Sequence, residues 1–165
     1  MRFYVGPQVG LGEFEDVDFS ISWLETPLFL SKFTVIGNGN LAVVYKGSEE
    51  IGKVSDFQIF DLEVPFLVAV GNDTTYPELF HKAKELGASF SVVYSTASDM
   101  AELMMFKYRN WAHAQEAEMI VIGLVEVFNK VHHGIYVPTR FKGDSGIIHE
   151  GVTPAFVELE VMRVD

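Results

Sequence analysis

The chain has 165 residues, no cysteine and a formal net charge of −11, and 48% of its residues are hydrophobic. This length predicts a single domain over residues 1–165, and the apolar content is sufficient for a buried core. The negative charge disfavours binding to nucleic acid or to acidic membrane surfaces, because both attract cationic patches. The absence of cysteine excludes disulfides, cysteine-ligated metal sites and a cysteine nucleophile.

No apolar run has the length of a transmembrane helix, and the amino terminus lacks the pattern of an export signal. We therefore expect no membrane partner and a cytoplasmic location.

Residues 1–70 predict mainly β-structure. Runs rich in Val, Ile, Phe and Tyr are separated by Gly, Asn, Pro and Asp, as in short strands joined by turns. The run at 66–70 is continuously apolar, which is typical of a strand buried on both faces. The predicted strands are residues 2–5, 17–24, 32–36, 41–45, 55–61 and 66–70.

The next segments predict two helices. The sequence Thr-Tyr-Pro-Glu at 75–78 has the form of a capping box and predicts a helix that ends at residue 86. Its buried face would carry Leu79, Ala83 and Leu86. A second start signal at 99–102 predicts a helix to residue 117, with one side formed by Leu103, Phe106, Asn110 and His113.

The remaining segments predict strands at 90–94, 119–125, 146–149 and 156–164, with a long excursion at 128–142. Strands that alternate with helices indicate an α/β fold in which helices cover a sheet. The second helix is more apolar than one face requires, since Met100, Met104 and Met105 accompany Leu103. Core filling is the favoured interpretation, and a subunit interface is the alternative.

Two short patterns have simple structural explanations. His132 and His133 are adjacent, so their side chains diverge in an extended segment, and no third ligand has a diagnostic spacing. We expect two solvent-facing loop histidines, and neither a metal site nor a cofactor. The sequence Gly-Asp-Ser-Gly at 143–146 is similar to the nucleophile motif of trypsin-like proteases, but the accompanying histidine motif and disulfide framework are missing. A turn that leads into a strand explains it better.

Carboxylates follow two of the predicted strands. Glu25 follows the apolar run 19–24, and Asp73 and Glu78 follow the run 66–71. Strand ends are where open α/β sheets bind their ligands. Glu116 lies near the end of the second helix. If these groups converge they form an acidic cleft; otherwise each is a surface charge.

Several segments resemble the nitrilase, or carbon–nitrogen hydrolase, superfamily. Residues 65–79 are similar to the family's apolar strand, nucleophile elbow and following helix start. Residues 87–97, 112–117 and 143–151 are similar, in the same order, to its Gly-Ala turn and strand, its Ala-Arg-Ala-x-Glu-Asn helix segment and its Gly-x-Ser-x-Ile strand. The segments 1–5, 18–25 and 41–47 resemble the early strands.

The resemblance implies an αββα sandwich, in which two β-sheets are flanked by helices. Full-length relatives insert helices between the early strands, and this chain has no room for them. We therefore expect a reduced amino-terminal helical layer.

The family's activity depends on a glutamate as general base, a lysine that stabilises the oxyanion and a cysteine that forms the thioester. By this resemblance Glu25 is the glutamate, and the lysine position falls on Lys53 or, more consistently with the spacing, on Asp56. Gly71 stands at the cysteine position. Glycine cannot form a covalent acyl intermediate, so the family's hydrolysis is not expected.

The sequence thus predicts a catalytically inactive nitrilase-like protein that binds a small ligand or acts as an assembly module. A small amide or amine ligand would bind where Glu25, Asn72, Asp73 and Glu116 converge. The resemblance also implies a homodimer formed through the helices at 76–87 and 99–117. Two alternatives stay open: a hydrolase in which Glu25 or Asp73 activates water, and a regulatory partner of an active, cysteine-containing relative.

Overall fold

In the computed structural model of the chain, the described residues are 1–7, 17–23 and 31–161, without the side chains of residues 72 and 73. They form two six-stranded sheets. The first sheet has the strand order β12-β1-β2-β3-β4-β5. Its strands are β1 (Arg2–Val5), β2 (Phe19–Trp23), β3 (Phe33–Gly37), β4 (Ala42–Lys46), β5 (Glu49–Val54) and β12 (Ala155–Glu158). Within it β1, β2 and β3 run parallel to one another.

The second sheet has the order β11-β10-β9-β8-β7-β6. Its strands are β6 (Phe57–Phe60), β7 (Phe66–Val70), β8 (Phe90–Thr96), β9 (Ile120–Val127), β10 (Lys130–Tyr136) and β11 (Ile147–Gly151). Strands β7, β8 and β9 are parallel. Each sheet therefore has a parallel centre and antiparallel edges.

A core of phenylalanine rings joins the two sheets. Phe19 pairs in register with Phe33 in the first sheet, and Phe66 pairs with Phe90 in the second. The Phe19 and Phe33 rings stack with centroids 4.8 Å apart, and the Phe19 and Phe90 rings meet edge to face at 5.0 Å. Such pairs are favourable beyond the apolar area that they bury, so the strand register and the sheet packing support each other.

Two helices cover the outer face of the second sheet. They are α1 (Pro77–Glu85) and α2 (Met100–Ala117). Small residues at the contact, among them Ala83 and Ala114, allow the helices to approach Leu67 and Val121 of the sheet closely. The described residues before β6 include strands and no helix. The predicted sandwich and its reduced amino-terminal layer are confirmed.

The predicted start of α1 was wrong in its detail. Tyr76 is the N-cap and makes no capping hydrogen bond through its side chain. Leu86, expected on the buried face, is 60% exposed, while Phe80 is buried. At the start of α2, by contrast, Asp99 caps the helix as expected and accepts a hydrogen bond from the Glu102 amide at 2.8 Å.

One strand of the first sheet was missed. β5 is polar, so neither periodicity nor apolar content marks it in the sequence. It forms because it pairs with β4 across a hairpin that turns at Gly47, whose φ is +59°. The predicted strand at 55–61 is the shorter β6, and the predicted strand at 156–164 is observed only as β12 at Ala155–Glu158, with residues 162–164 outside the described part.

The prediction of a long excursion at 128–142 was wrong. β10 occupies most of it and forms a hairpin with β9. The two-residue turn consists of Phe128 (φ 50°) and Asn129 (φ 60°), which gives the positive φ angles of a type I′ hairpin turn. His132 and His133 therefore lie on a strand and not in a solvent-facing loop.

Candidate functional site

The parallel strands of both sheets end at the same end of the sandwich, which we call the carboxyl end. Tyr94, near the end of β8, shows this directly. Its hydroxyl donates to the Ser22 carbonyl at 2.9 Å and lies 3.2 Å from the Val35 carbonyl, near the ends of β2 and β3. Burial raises the pKa of Tyr94 well above its ordinary value, so the phenol stays protonated and remains a donor.

Gly71 directly follows β7 at the carboxyl end, at the position predicted to replace the nucleophile. Its φ is +66°, a conformation that L-residues with side chains rarely adopt. A Cβ at this position would lie 3.1 Å from the Gly39 carbonyl oxygen. The amide of Val70, one residue earlier, donates to the Asp56 carbonyl at 2.8 Å. The backbone of two neighbouring segments thus crowds the elbow.

A chain of hydrogen bonds holds the 3-10 helix (Gly71–Thr75) that follows. Thr74 Oγ1 donates to the Gly71 carbonyl at 2.8 Å and lies 3.1 Å from Ser95 Oγ. His113 Nε2 on α2 lies 3.0 Å from the Thr74 carbonyl. The His113 ring stacks on Phe80 with centroids 4.0 Å apart. Burial is the main cause that lowers the pKa of His113, so this imidazole is neutral and acts as a structural support for the elbow.

The predicted site residues are only partly described. Glu25 lies outside the described residues, as do the side chains of Asn72 and Asp73, whose backbone forms part of the 3-10 helix. Lys53 and Glu116 are exposed, and Lys53 lies 3.9 Å from Glu50. The convergence of these groups on one ligand stays a prediction.

Asp56, the preferred lysine position, is exposed and caps its own turn, since its Oδ1 accepts from the Phe57 amide at 2.6 Å. Its backbone carbonyl accepts the hydrogen bond from the Val70 amide, next to Gly71. Its assignment to the lysine position stays a prediction.

A cavity of about 460 Å³ opens at the carboxyl end of the sandwich, close to the end of β2 and the β9–β10 turn. Its wall combines an aromatic ring, aliphatic groups and polar side chains: Pro7, Trp23, Glu126, Asn129, Lys130, Val131, His133 and Val152. None of these residues was among the predicted site residues. Glu126 did carry the same signal as Glu25, a carboxylate at the end of a buried strand.

His133 is the most deeply buried residue of this wall, with 2% of its surface exposed, and its Nδ1 has no hydrogen-bond partner. Burial lowers the pKa of His133 to about 4, and a hydrogen bond with the Thr153 backbone acts in the opposite direction. The ring is therefore neutral at neutral pH. Its inward orientation follows from the strand period, since Ile135, two residues along β10, belongs to the core between the sheets.

The outer surface of α2 carries a second apolar feature. Met104 is 59% exposed and Tyr108 is 67% exposed. They line a groove of about 370 Å³ between α2 and β11, together with Lys107, Trp111, Tyr136, Ser145, Ile147 and Glu150. Trp111 Nε1 donates to the Ser145 carbonyl at 2.7 Å, which fixes one side of the groove.

Among the described residues, no three His, Asp or Glu side chains are arranged so that they could hold a metal ion. No helix in the described part of the chain is long and apolar enough to span a membrane.

Solved structures of nitrilase-superfamily proteins match the fold. The Saccharomyces cerevisiae protein Nit3, a member of branch 10 of that superfamily, has a TM-score of 0.69 and 10% identity, covering 97% of this chain and 90% of its own. The NitN amidase from Nesterenkonia sp. AN1 has a TM-score of 0.66 and 11% identity, covering 97% and 93%.

A cysteine-to-alanine mutant of the Nesterenkonia AN1 amidase has a TM-score of 0.60 and 12% identity, covering 94% of this chain and 88% of its own. No protein-family model and no curated protein matches the chain. At these identities the structural likeness establishes the fold.

Proposed function

We propose that this chain, which has the nitrilase-superfamily fold and contains no cysteine, is a catalytically inactive form of that fold that acts as an assembly and small-ligand-binding module. The observation that carries the proposal is Gly71, which stands at the elbow where the resemblance places the nucleophile, with a φ of +66°. A residue without a side chain offers no atom to attack a carbonyl carbon, so the covalent route is closed.

The assembly part of the proposal rests on the outer surface of α2. A monomer gains nothing by exposing Met104 and Tyr108 beside an apolar groove, and contiguous exposed apolar surface is typical of interaction sites. The charges at the groove, Lys107 and Glu150, lie 3.9 Å apart and compensate each other. An uncharged apolar partner fits such a surface, and a second copy of the same face meets this requirement. We propose a homodimer formed through residues 76–87 and 99–117.

The ligand part rests on the vestigial site. We propose that a small amide or amine binds near Gly71, with Glu25, Asn72, Asp73 and Glu116 as its polar contacts and with Lys53 and Asp56 as the remnant of the lysine position. The excess of acidic over basic residues in the chain favours a ligand that donates hydrogen bonds or carries positive charge.

Light scattering after size-exclusion chromatography tests the assembly. We expect a dimer for the unchanged chain and a monomer for Met104→Glu, because a charge at the centre of an apolar contact must be desolvated. Phe128→Glu is the matched control, since Phe128 is 67% exposed and lies in the β9–β10 turn, outside the two helices. A monomer at every concentration, or an equal loss of dimer in both variants, contradicts the homodimer.

Ammonia release from acetamide, propionamide and benzonitrile tests the inactivity. We expect no release above buffer. Turnover that disappears in Glu25→Gln, in a variant that still folds, would contradict the proposal and favour the hydrolase that activates water. Co-purification with a cysteine-containing relative, in place of self-association, would favour the regulatory partner.

A further inference from the structure

The cavity at the carboxyl end is large enough for a small organic molecule and has the composition of a binding site. Its volume of about 460 Å³ falls within the range of roughly 300–1,000 Å³ that is usual for small-molecule sites. Such sites combine apolar walls with a few polar groups that fix orientation. The wall contributed by β2, the β9–β10 hairpin and the segment after β11 has this character.

The apolar part of the wall is held in place by the core. The Trp23 ring lies 6.0 Å from the Tyr94 ring, centroid to centroid, and Tyr94 is fully buried and hydrogen-bonded to the first sheet. Trp23 is therefore fixed before any ligand arrives. Val131 and Val152 add aliphatic surface to the same wall. An aromatic or compact aliphatic group fits against them.

The Glu126 carboxylate supplies negative charge to the cavity. The Glu126 backbone is fixed, since its carbonyl accepts a hydrogen bond from the Ala97 amide at 2.8 Å and Glu126 pairs with Thr96. Its side chain is half-buried, and no described residue forms an ion pair with it. The carboxylate is thus available to a cationic group inside the cavity.

The His133 ring forms a buried, neutral part of the cavity wall. Its Nδ1 is buried without a partner, and an unsatisfied buried polar atom is costly to the folded state. Because the ring is neutral, the tautomer that is protonated on Nε2 presents Nδ1 as an acceptor. The neutral ring adds no positive charge that would oppose a cation in the cavity.

We propose that this cavity binds a small protonated primary amine with an aromatic or compact apolar body. The ammonium group donates to the Glu126 carboxylate, and the body packs against the Trp23 ring, which also attracts cations. This site is separate from the one proposed near Gly71, so the inference goes beyond the proposed function, and the Glu126 carboxylate selects a cation over a neutral amide. Lys130, an exposed cation at the cavity, opposes binding from the rim.

Isothermal titration at neutral pH with three probes of one size tests the charge. The probes are benzylamine, benzyl alcohol and benzoate, which present a cation, a neutral donor and an anion on the same ring. We expect benzylamine to bind about tenfold or more tightly than the other two, because a charge-assisted hydrogen bond is stronger than a neutral one. Equal binding of the three probes, or tighter binding of benzoate, overturns the proposal.

Two variants with opposite expectations locate the site. Glu126→Gln keeps the shape of the side chain and removes its charge, and we expect about a tenfold loss of benzylamine affinity. Lys130→Gln removes the opposing charge, and we expect unchanged or tighter binding. Glu49→Gln, on the exposed strand β5, is the control and leaves binding unchanged. Thermal unfolding verifies that each variant folds, and unaltered binding in a folded Glu126→Gln overturns the proposal.

The test of the amine site can fail or succeed independently of the tests of the proposed function. A dimer without amide turnover that fails to bind benzylamine at about 10 mM overturns the amine site and leaves the assembly and the inactivity unaffected. If the protein is a monomer but binds benzylamine through Glu126, the proposed assembly is wrong and the amine site is supported. If it hydrolyses amides and still binds benzylamine through Glu126, the proposed inactivity is wrong and the amine site is supported.

Discussion

Tyr94 of the second sheet fills the space in which a side chain at position 37 of the first sheet would lie. A Cβ on Gly37 would be 2.8 Å from Tyr94 Cε2, and the Tyr94 hydroxyl continues past this point to the Ser22 carbonyl at 2.9 Å. A glycine at the end of β3 therefore allows an aromatic side chain to cross from one sheet to the other. This contact fixes the wall on which Trp23 rests.

Gly37→Ala tests this contact. We expect a loss of about 1–3 kcal/mol in the free energy of unfolding, as in other overpacked cores, measured by urea denaturation. Tyr94→Phe, which removes only the hydroxyl, loses about 1 kcal/mol. Combining Gly37→Ala with Tyr94→Ala gives less destabilisation than the sum of the single changes, because the clash is absent. Strict additivity would show that the ring does not limit position 37.

Gly71→Cys introduces a thiol at the predicted nucleophile position, in an unfavourable backbone conformation. The left-handed φ costs about 1–2 kcal/mol, and the nearby Gly39 carbonyl adds to this cost. Gly47→Cys is the matched control, because Gly47 has a similar φ (+59°) and a Cβ added there would meet no atom within 4 Å. We expect Gly71→Cys to be the less stable of the two in urea denaturation.

Gly71→Cys, alone or with Asp56→Lys, should also remain unacylated by p-nitrophenyl acetate, as observed by intact-protein mass spectrometry. Equal stability of Gly71→Cys and Gly47→Cys would refute the crowding of the elbow. Acylation of the introduced cysteine would show that the residues around position 71 can still support covalent catalysis, which contradicts the proposed inactivity.

The buried imidazole of His133 makes stability depend on pH. The unfolded chain binds a proton on this ring near the ordinary pKa of 6.5, and the folded protein does so only near pH 4. The part of the free energy of unfolding that comes from keeping this ring neutral is therefore fully present above pH 6.5. It is lost as the pH falls towards 4. We expect a loss of about 2–3 kcal/mol over this interval, in urea titrations at several pH values.

In His133→Gln this position cannot bind a proton, so the free energy of unfolding should fall less steeply between pH 6.5 and pH 4. Burial also lowers the pKa of His113 and His132, so some decline persists in the variant. Two further imidazoles act on His133 directly, since the charges of His132 and His149 lower its pKa. If the free energy of unfolding falls with pH equally steeply in the variant and in the unchanged chain, the other histidines cause the pH dependence.

Phe128 is a poor residue for the first position of the β9–β10 turn. Its φ of 50° is strained for a side chain of this size, and the ring is exposed, so it gains nothing by burial. Phe128→Asn should raise the free energy of unfolding by about 0.5–1 kcal/mol, because asparagine tolerates this conformation. Phe57→Asn, an exposed phenylalanine on β6, is the control and gives no gain. A loss of stability in Phe128→Asn would indicate that the ring is part of a contact.

Sequence patterns predicted the second half of the fold well where burial enforces them. The continuous apolar run of β7 and the side of α2 that carries Leu103 and His113 are buried as expected. The patterns failed at β5 and β10. β5 is mostly polar, pairs with β4 and turns only Ile51 and Val54 towards the core, so its apolar content is low. β10 has buried residues, but it begins at a turn whose Phe-Asn sequence is not a typical hairpin signal.

The sequence by itself determined what this protein lacks. A chain without cysteine has no thiol nucleophile in any conformation, because that property belongs to composition and not to arrangement. Only the tertiary structure decided which side chains share a cavity. Trp23 lies in the first sheet, whereas Glu126 and His133 lie on the β9–β10 hairpin of the second sheet, far along the chain. They line one cavity because the packing of the two sheets brings the end of β2 next to this hairpin.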